Sequence, residues 1–150
     1  MEWWSYDTRK LKNKKEGAFK YPVVHSITSD GLGFWYTNDK TKGHFGVPKV
    51  LLNFGRHQYP YNDYRGEYGM SQNTFGIPIK SKKQGDDIVK AINSSAFKDI
   101  IKATKWGAYQ TDYRMFKYFK PDFYKEQMFK TGSKTRKMIK SNHNKTRRKK

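Results

Sequence analysis

The apolar pattern of this chain changes character once, at Ser81, and that change constrains the fold more than any other feature. Before it, apolar residues gather in short runs separated by Gly, Pro, Asn and Asp, as strands do. After it, they recur every three or four positions, the repeat of a helix face. Strands first and helices second imply an α+β chain: a small mixed or antiparallel sheet followed by two to three helices.

The runs themselves can be placed. "YPVVHSI" (21–27) is β-branched and "GFWYT" (33–37) is aromatic, and "TSDGLG" lies between them. Asp30-Gly31 is the strongest turn signal there, so the three pieces read as a β-hairpin. Pro48 leads into "KVLLNF" (49–54), a buried-strand candidate, and "NTFGIPIK" (73–80) follows as another. Pro78 has no N–H for a ladder and puts that strand at an edge or a bulge. Beyond Ser81, Gly85 and Asp86 can open a helix with Ile88, Ala91 and Ile92 on one face, where Asp86 and Asp87 suit the positive end of the helix dipole. "NSS" (93–95) breaks that helix and caps a second, striped by Phe97, Ile100, Ile101 and Thr104. "DYRMFKYF" (112–119) reads as a last short helix with Met115, Phe116 and Phe119 inward.

Charge speaks to partners. Lys and Arg number 32 against 13 acids, a formal net charge of +19, which favours a polyanion. From Lys130 onward there are 10 basic residues and no acid; residues 1–129 hold 22 against 13, so the body is itself at +9. We therefore expect three parts: a loosely ordered aromatic and basic segment (1–17) carrying Trp3, Trp4 and Tyr6, an α+β domain (18–129), and a disordered basic tail (130–150). Aromatics at 17% argue against a chain disordered throughout. The chain has no Cys, which removes disulfides, thiolate metal sites and Cys nucleophiles. There is no apolar run of 18 residues and no signal-like h-region, so the expectation is an intracellular protein (cytoplasm, nucleus or viral factory), neither secreted nor in a membrane.

Catalytic signatures are wanting. No Gly-rich run ends in Gly-Lys-Ser/Thr, and "GLGFW" and "GHFG" read as turns rather than a dinucleotide site. His25, His44, His57 and His143 lack ligand spacing, so no metal and no cofactor is expected. Asp63 and Glu67 flank Arg65 in "DYRGE", which suits a charged turn and, as an alternative, a Mg²⁺ site of a small restriction-type nuclease.

What remains is a pattern of binding. Arg56, His57, Tyr59, Tyr61, Tyr64, Arg65 and Tyr68 crowd one loop, and Lys105, Trp106, Tyr109, Tyr113 and Arg114 repeat the mixture between helices. Arg forks onto guanine edges or phosphates, and Tyr stacks on unpaired bases or donates to phosphate. Lys134, Arg136, Lys137, Arg147 and Arg148 of the tail add salt-sensitive phosphate affinity. We read Arg56, Tyr61, Arg65, Tyr68, Lys105, Trp106, Tyr109, Arg114 and those five tail cations as candidate nucleic-acid contacts, with double-stranded DNA as the partner.

"GHFGVPKVLLNFG", "DYRGEYGMSQNTFGI" and "IVKAINSSAFKDIIKATKWGAYQTDYRMFKYFKPDFYK" follow one another in the chain. In order and spacing they resemble the C-terminal target-recognition region of type II and type IIG restriction–modification N6-adenine DNA methyltransferases, of the kind carried by phages and giant viruses. The matching pieces are the Pro48-Lys49 strand with Val50, Leu51 and Leu52, and the Gly-Tyr-Gly turn at Gly66, Tyr68, Gly69 and Met70. The helix pair around Ile92, Asn93, Ser94 and Phe97 follows, and then the aromatic-basic close of Trp106, Tyr113, Arg114, Phe116, Tyr118 and Phe119. The resemblance covers residues 4–126. It implies a DNA-recognition lobe without methyltransferase chemistry, since no Pro-Pro stands where the family's catalytic tetrad requires one and no S-adenosylmethionine domain accompanies the lobe within these 150 residues. It also implies a catalytic methyltransferase or nuclease chain as a possible partner. The remaining alternative is a viral structural or packaging protein whose tail meets nucleic acid.

Overall fold

The computed structural model describes residues 5–55, 57–103 and 113–130. Its architecture is α+β, with two three-stranded sheets stacked face to face and the helices packed on the second sheet. The expected hairpin forms as β1 (Tyr21–Thr28) and β2 (Gly31–Thr37). The loop between them is Ser29-Asp30, and Gly31 already belongs to β2 with φ +123°, a conformation that favours glycine. A register shift between Val24 and Ser26 leaves His25 as the extra residue of a bulge.

β3 (Lys49–Asn53) lies between β4 (Tyr61–Asp63) and β6 (Thr74–Pro78), antiparallel to both. This sheet is the middle layer, which explains why β3 is buried on both faces. Leu51 meets Val24, Ile27 and Met70 of the first sheet, whereas Val50 and Leu52 meet the helices. β6 is an outer strand, as Pro78 required, and Pro78 is its last residue. One sheet was expected and two are found. The difference arises at Ser71–Asn73, where a tight turn carries the chain from β5 (Gly69–Met70), parallel to β1, into β6.

α1 runs from Lys82 to Asn93, three residues earlier than the Gly85 start. Ser81 accepts the Gln84 N–H (3.1 Å), and the Gln84 side chain accepts the Lys80 N–H (2.7 Å). These reciprocal caps fix the start ahead of Gly85. Asp86 and Asp87 therefore sit in the second turn, not at the dipole end, and pair with Lys82 (2.7 Å) and Lys83 (2.6 Å) four residues back. Ser94 closes α1 by donating to the Ala91 carbonyl (2.6 Å). It also opens α2 (Ser95–Ala103) by accepting the Phe97 N–H (3.2 Å).

Phe97 is fully buried, ringed by Phe116, Phe119, Phe123 and Phe129 at centroid distances of 5.5–6.2 Å. The expected last helix is a 3-10 segment, Tyr113–Tyr118, with Met115, Phe116 and Phe119 half-buried against the core as anticipated. A second 3-10 turn (Phe123–Lys125) and α3 (Gln127–Lys130) follow. Among the described residues no helix is long and apolar enough to cross a membrane.

The N-terminal segment differs from its expectation. From Ser5 on it is a strap fastened at both edges of the first sheet. Tyr6 donates its N–H to Met70 (3.1 Å) beside β5, and Lys12 and Tyr36 exchange backbone bonds (3.0 and 2.7 Å) beside β2. Between them Tyr6 and Leu11 are buried with Val23, against Trp35 and Phe45. Two apolar side chains locked by ladder-type bonds outweigh the run of lysines that suggested looseness. Trp3 and Trp4 lie outside the described residues, as does the tail beyond Lys130, which is itself the last residue of α3.

Candidate nucleic-acid interface

The loops around β4 are organised by a charge that has no business in a buried strand. Lys49 opens β3, and its side chain is 2% exposed; Asp63 closes β4, and its side chain is 1% exposed. The two form an ion pair at 2.8 Å. The ammonium also donates to the carbonyls of Tyr68 (2.7 Å), Val47 (3.1 Å) and His44 (3.2 Å), so its three protons face four oxygens. Asp63 in turn accepts the N–H groups of Glu67 (2.9 Å) and Tyr68 (3.2 Å). Burial pulls the Lys49 ammonium below the ordinary lysine range, and Asp63 opposes that shift. One ion pair thus ties the 44–47 loop, the 63–69 loop and two strands into a single unit.

The same anchor decides what faces solvent. Gly66 donates its N–H to the Asp63 carbonyl (3.1 Å), closing a four-residue turn with Tyr64 and Arg65 at its centre. Gly66 has φ +67°, and a Cβ there would lie 2.7 Å from the backbone of Gly46 and Val47, so only glycine fits. Tyr64 and Arg65 project from this corner. The Arg65 guanidinium lies 5.3 Å and the Lys82 ammonium 5.6 Å from the centre of the Tyr64 ring. Arg65 also pairs with Glu67 at 3.6 Å, and its neighbours Tyr64 and Glu67 hold it above the usual arginine value. Tyr59 and Tyr61 are exposed, and Tyr61 meets Tyr68 at 6.1 Å. Tyr68 is wedged against Phe34 at 4.9 Å, and burial raises its phenol.

Of the residues expected to touch nucleic acid, Tyr61 and Tyr68 are in contact beside β4, and Arg65 lies in the turn that follows the strand, against Tyr64 and Glu67. Tyr68 is mainly a support for Tyr61, half-buried beneath it. Arg114 is exposed on the 3-10 segment, beside the β6 edge, at the opposite side of the middle sheet. Arg56, Lys105, Trp106, Tyr109, Lys134, Arg136, Lys137, Arg147 and Arg148 lie outside the described residues.

Sequence reasoning missed Lys82, which joins the cluster through the early start of α1. It also missed a second basic aromatic surface on the strap side. There Lys40 lies 4.6 Å and Lys20 5.4 Å from the Tyr21 ring, and Lys12 lies 5.0 Å from the Phe19 ring. No sequence period links those residues, because the hairpin and the strap bring them together.

The Mg²⁺ alternative meets a geometric obstacle. Both Asp63 oxygens are committed to Lys49, Glu67 and Tyr68, and a cation would have to displace a buried ammonium. Glu67 is half exposed and turned to Arg65. Among the described residues no three His, Asp or Glu side chains are grouped to hold a metal. Comparison with protein-family models, with curated proteins and with solved structures found no match to the chain.

Proposed function

We propose that the chain is a non-enzymatic DNA-binding module of the target-recognition kind, with the outer edge of β4 as its reading surface. The observation that carries this is the exposed set of Tyr59, Tyr61 and Tyr64 along β4 and its flanking loops, with Arg65 and Lys82 over the Tyr64 ring, on loops that the buried Lys49–Asp63 pair ties together. Arg65 supplies a planar fork for guanine edges or phosphate, and Lys82 supplies a point charge. The tyrosines supply faces and hydroxyls. Preorganisation matters because a side chain already held in place loses little freedom on binding. The net charge of +19 provides the sequence-independent attraction. The likeness to methyltransferase recognition regions is consistent with this role and suggests pairing with a catalytic chain.

Selection of a randomised duplex pool by the full chain at about 150 mM salt tests it. A short enriched motif that is lost in the Arg65→Ala/Tyr61→Ala variant, with the fold retained, supports the reading. Binding that is blind to sequence and vanishes with salt overturns it in favour of a packaging role.

A further inference from the structure

The helical layer carries a cleft of its own, on the side of α1 that meets α3. Lys82 leans over Tyr64 beside β4. Its neighbour Lys83 points elsewhere, and Lys83, Asp87, Lys90 and Ser94 recur at the spacing of one helix face. They line a cleft of about 730 Å³. Lys125 and Lys130 line it from the other side, on the Phe123–Lys125 turn and on α3, both of which pack against α1.

Four lysines thus converge on one carboxylate, and Lys83 already neutralises Asp87 at 2.6 Å. Lys90, Lys125 and Lys130 are exposed, and none is ion-paired to a carboxylate among the described residues. The sequence that continues from Lys130 brings no relief, since residues 131–150 add nine cations and no acid. Lys83 and Lys90 are seven residues apart, about 10 Å along a helix, which is the axial rise of about three phosphates of one DNA strand. The apolar lining offers nothing to a lipid surface: Ala91 and Phe129 are buried, and Val89 and Tyr124 are half-buried.

We propose that this cleft holds the sugar–phosphate backbone of bound DNA, with Lys90, Lys125 and Lys130 each meeting a phosphate. The idea rests on the reading of the chain as a DNA-binding module. It adds the surface that positions the duplex without reading its sequence, a division of labour general to protein–DNA contacts.

The salt dependence of duplex binding by the full chain tests it, because each neutralised phosphate contributes about 0.9 to the slope of log K against log salt. Lys90→Gln/Lys125→Gln/Lys130→Gln changes only exposed side chains and should lower that slope by about two to three, with the enriched motif unchanged. Lys10→Gln/Lys14→Gln/Lys15→Gln removes the same charge from exposed positions on the strap and should change the slope by less than about one. Asp87→Asn acts in the opposite direction: it frees Lys83 and should tighten binding. An unchanged slope in the cleft variant, with the motif still enriched, overturns the cleft and leaves the β4 reading standing. An equal fall in both triple variants also overturns it, by reducing the effect to net charge. Loss of binding to phosphatidylserine vesicles in the cleft variant, with DNA binding unaltered, overturns it in favour of a membrane surface. A lowered slope in the cleft variant alone, coupled with sequence-blind binding by the parent, supports the cleft and overturns the β4 reading instead.

Discussion

Removing the Asp63 carboxylate tests the central claim that the aromatic loops are held by a buried charge. In Asp63→Ala the Lys49 ammonium would stay inside with three carbonyls but no counter-charge, and the N–H groups of Glu67 and Tyr68 would lose their acceptor. Breaking one side of a buried pair costs about 3–5 kcal/mol. A domain of this size has about 5–15 kcal/mol to lose, so the variant should sit near the edge of folding. The informative comparison is the double variant Lys49→Met/Asp63→Leu. Many buried pairs can be replaced by apolar groups at little cost. Here the replacement would orphan three carbonyls and two amides, and each unsatisfied buried group costs about 1–3 kcal/mol. We therefore expect the double variant to remain at least about 3 kcal/mol below the parent. In urea unfolding, with a slope of about 1–3 kcal/mol/M, that is a midpoint shift above about 1 M. A double variant as stable as the parent would refute the view that the pair organises backbone. Loss of a DNA-cleaving activity in Asp63→Ala at unchanged urea midpoint would refute it from the other side, by making the residue chemical.

Two further outcomes follow from the packing. Gly85 lies inside α1, where alanine would ordinarily gain about 1 kcal/mol, yet a Cβ would come within 2.2 Å of the Asn62 amide, which is itself bonded to the Lys82 carbonyl and Asp86. Gly85→Ala should therefore destabilise by about 1–2 kcal/mol, with Asn62→Ala/Gly85→Ala recovering most of the loss, as a thermal-unfolding cycle would measure. At the strap, hydrogen bonds from Arg9 hold the Asp7 carboxyl down at about 2. Because the folded value lies below the unfolded one, this contact stabilises above about pH 4 and is lost as pH falls through about 2. Carboxyl NMR titration should find that low midpoint and should see it rise in molar salt; an ordinary midpoint near 4 would disprove the contact.

The helical half was readable because its signals are local. The stripes at Ile88, Ala91 and Ile92 and at Phe97, Ile100 and Ile101 appear in α1 and α2, and the break at 93–95 is where Ser94 serves both helices. The start of α1 was misread because Gly85-Asp86 resembles an opening, whereas Ser81 with Gln84 makes the real one. Four of the six strands were visible singly, but β4 and β5 lie in what read as a loop, and the stacking of the sheets was not visible. β5 contributes two residues to β1 across a long loop, and nothing periodic announces so short a parallel pair. At the candidate site, Tyr61 and Arg65 were legible from composition, yet the anchor beneath them was not named as such. A lysine heading a wholly apolar strand is the signal that was present, since a buried charge demands a partner. Asp63, the closing residue of the next strand, is that partner.

The turn at Ser71–Asn73 also governs the order in which the molecule can assemble. The chain finishes the first sheet and begins the second within those three residues, so neither sheet can close before the segment has left the ribosome or the coil. Tyr6 is made early but has its bonding partners in Met70 and Gln72, so the Tyr6 end of the strap must wait for β5, whereas Lys12 can join Tyr36 as soon as the hairpin exists. Such distant closure is slow, because the loop entropy is lost before any contact repays it. Until the Tyr6 end docks, the outer face of the hairpin is unsealed and Val23 and Trp35 lack the cover that Tyr6 gives them.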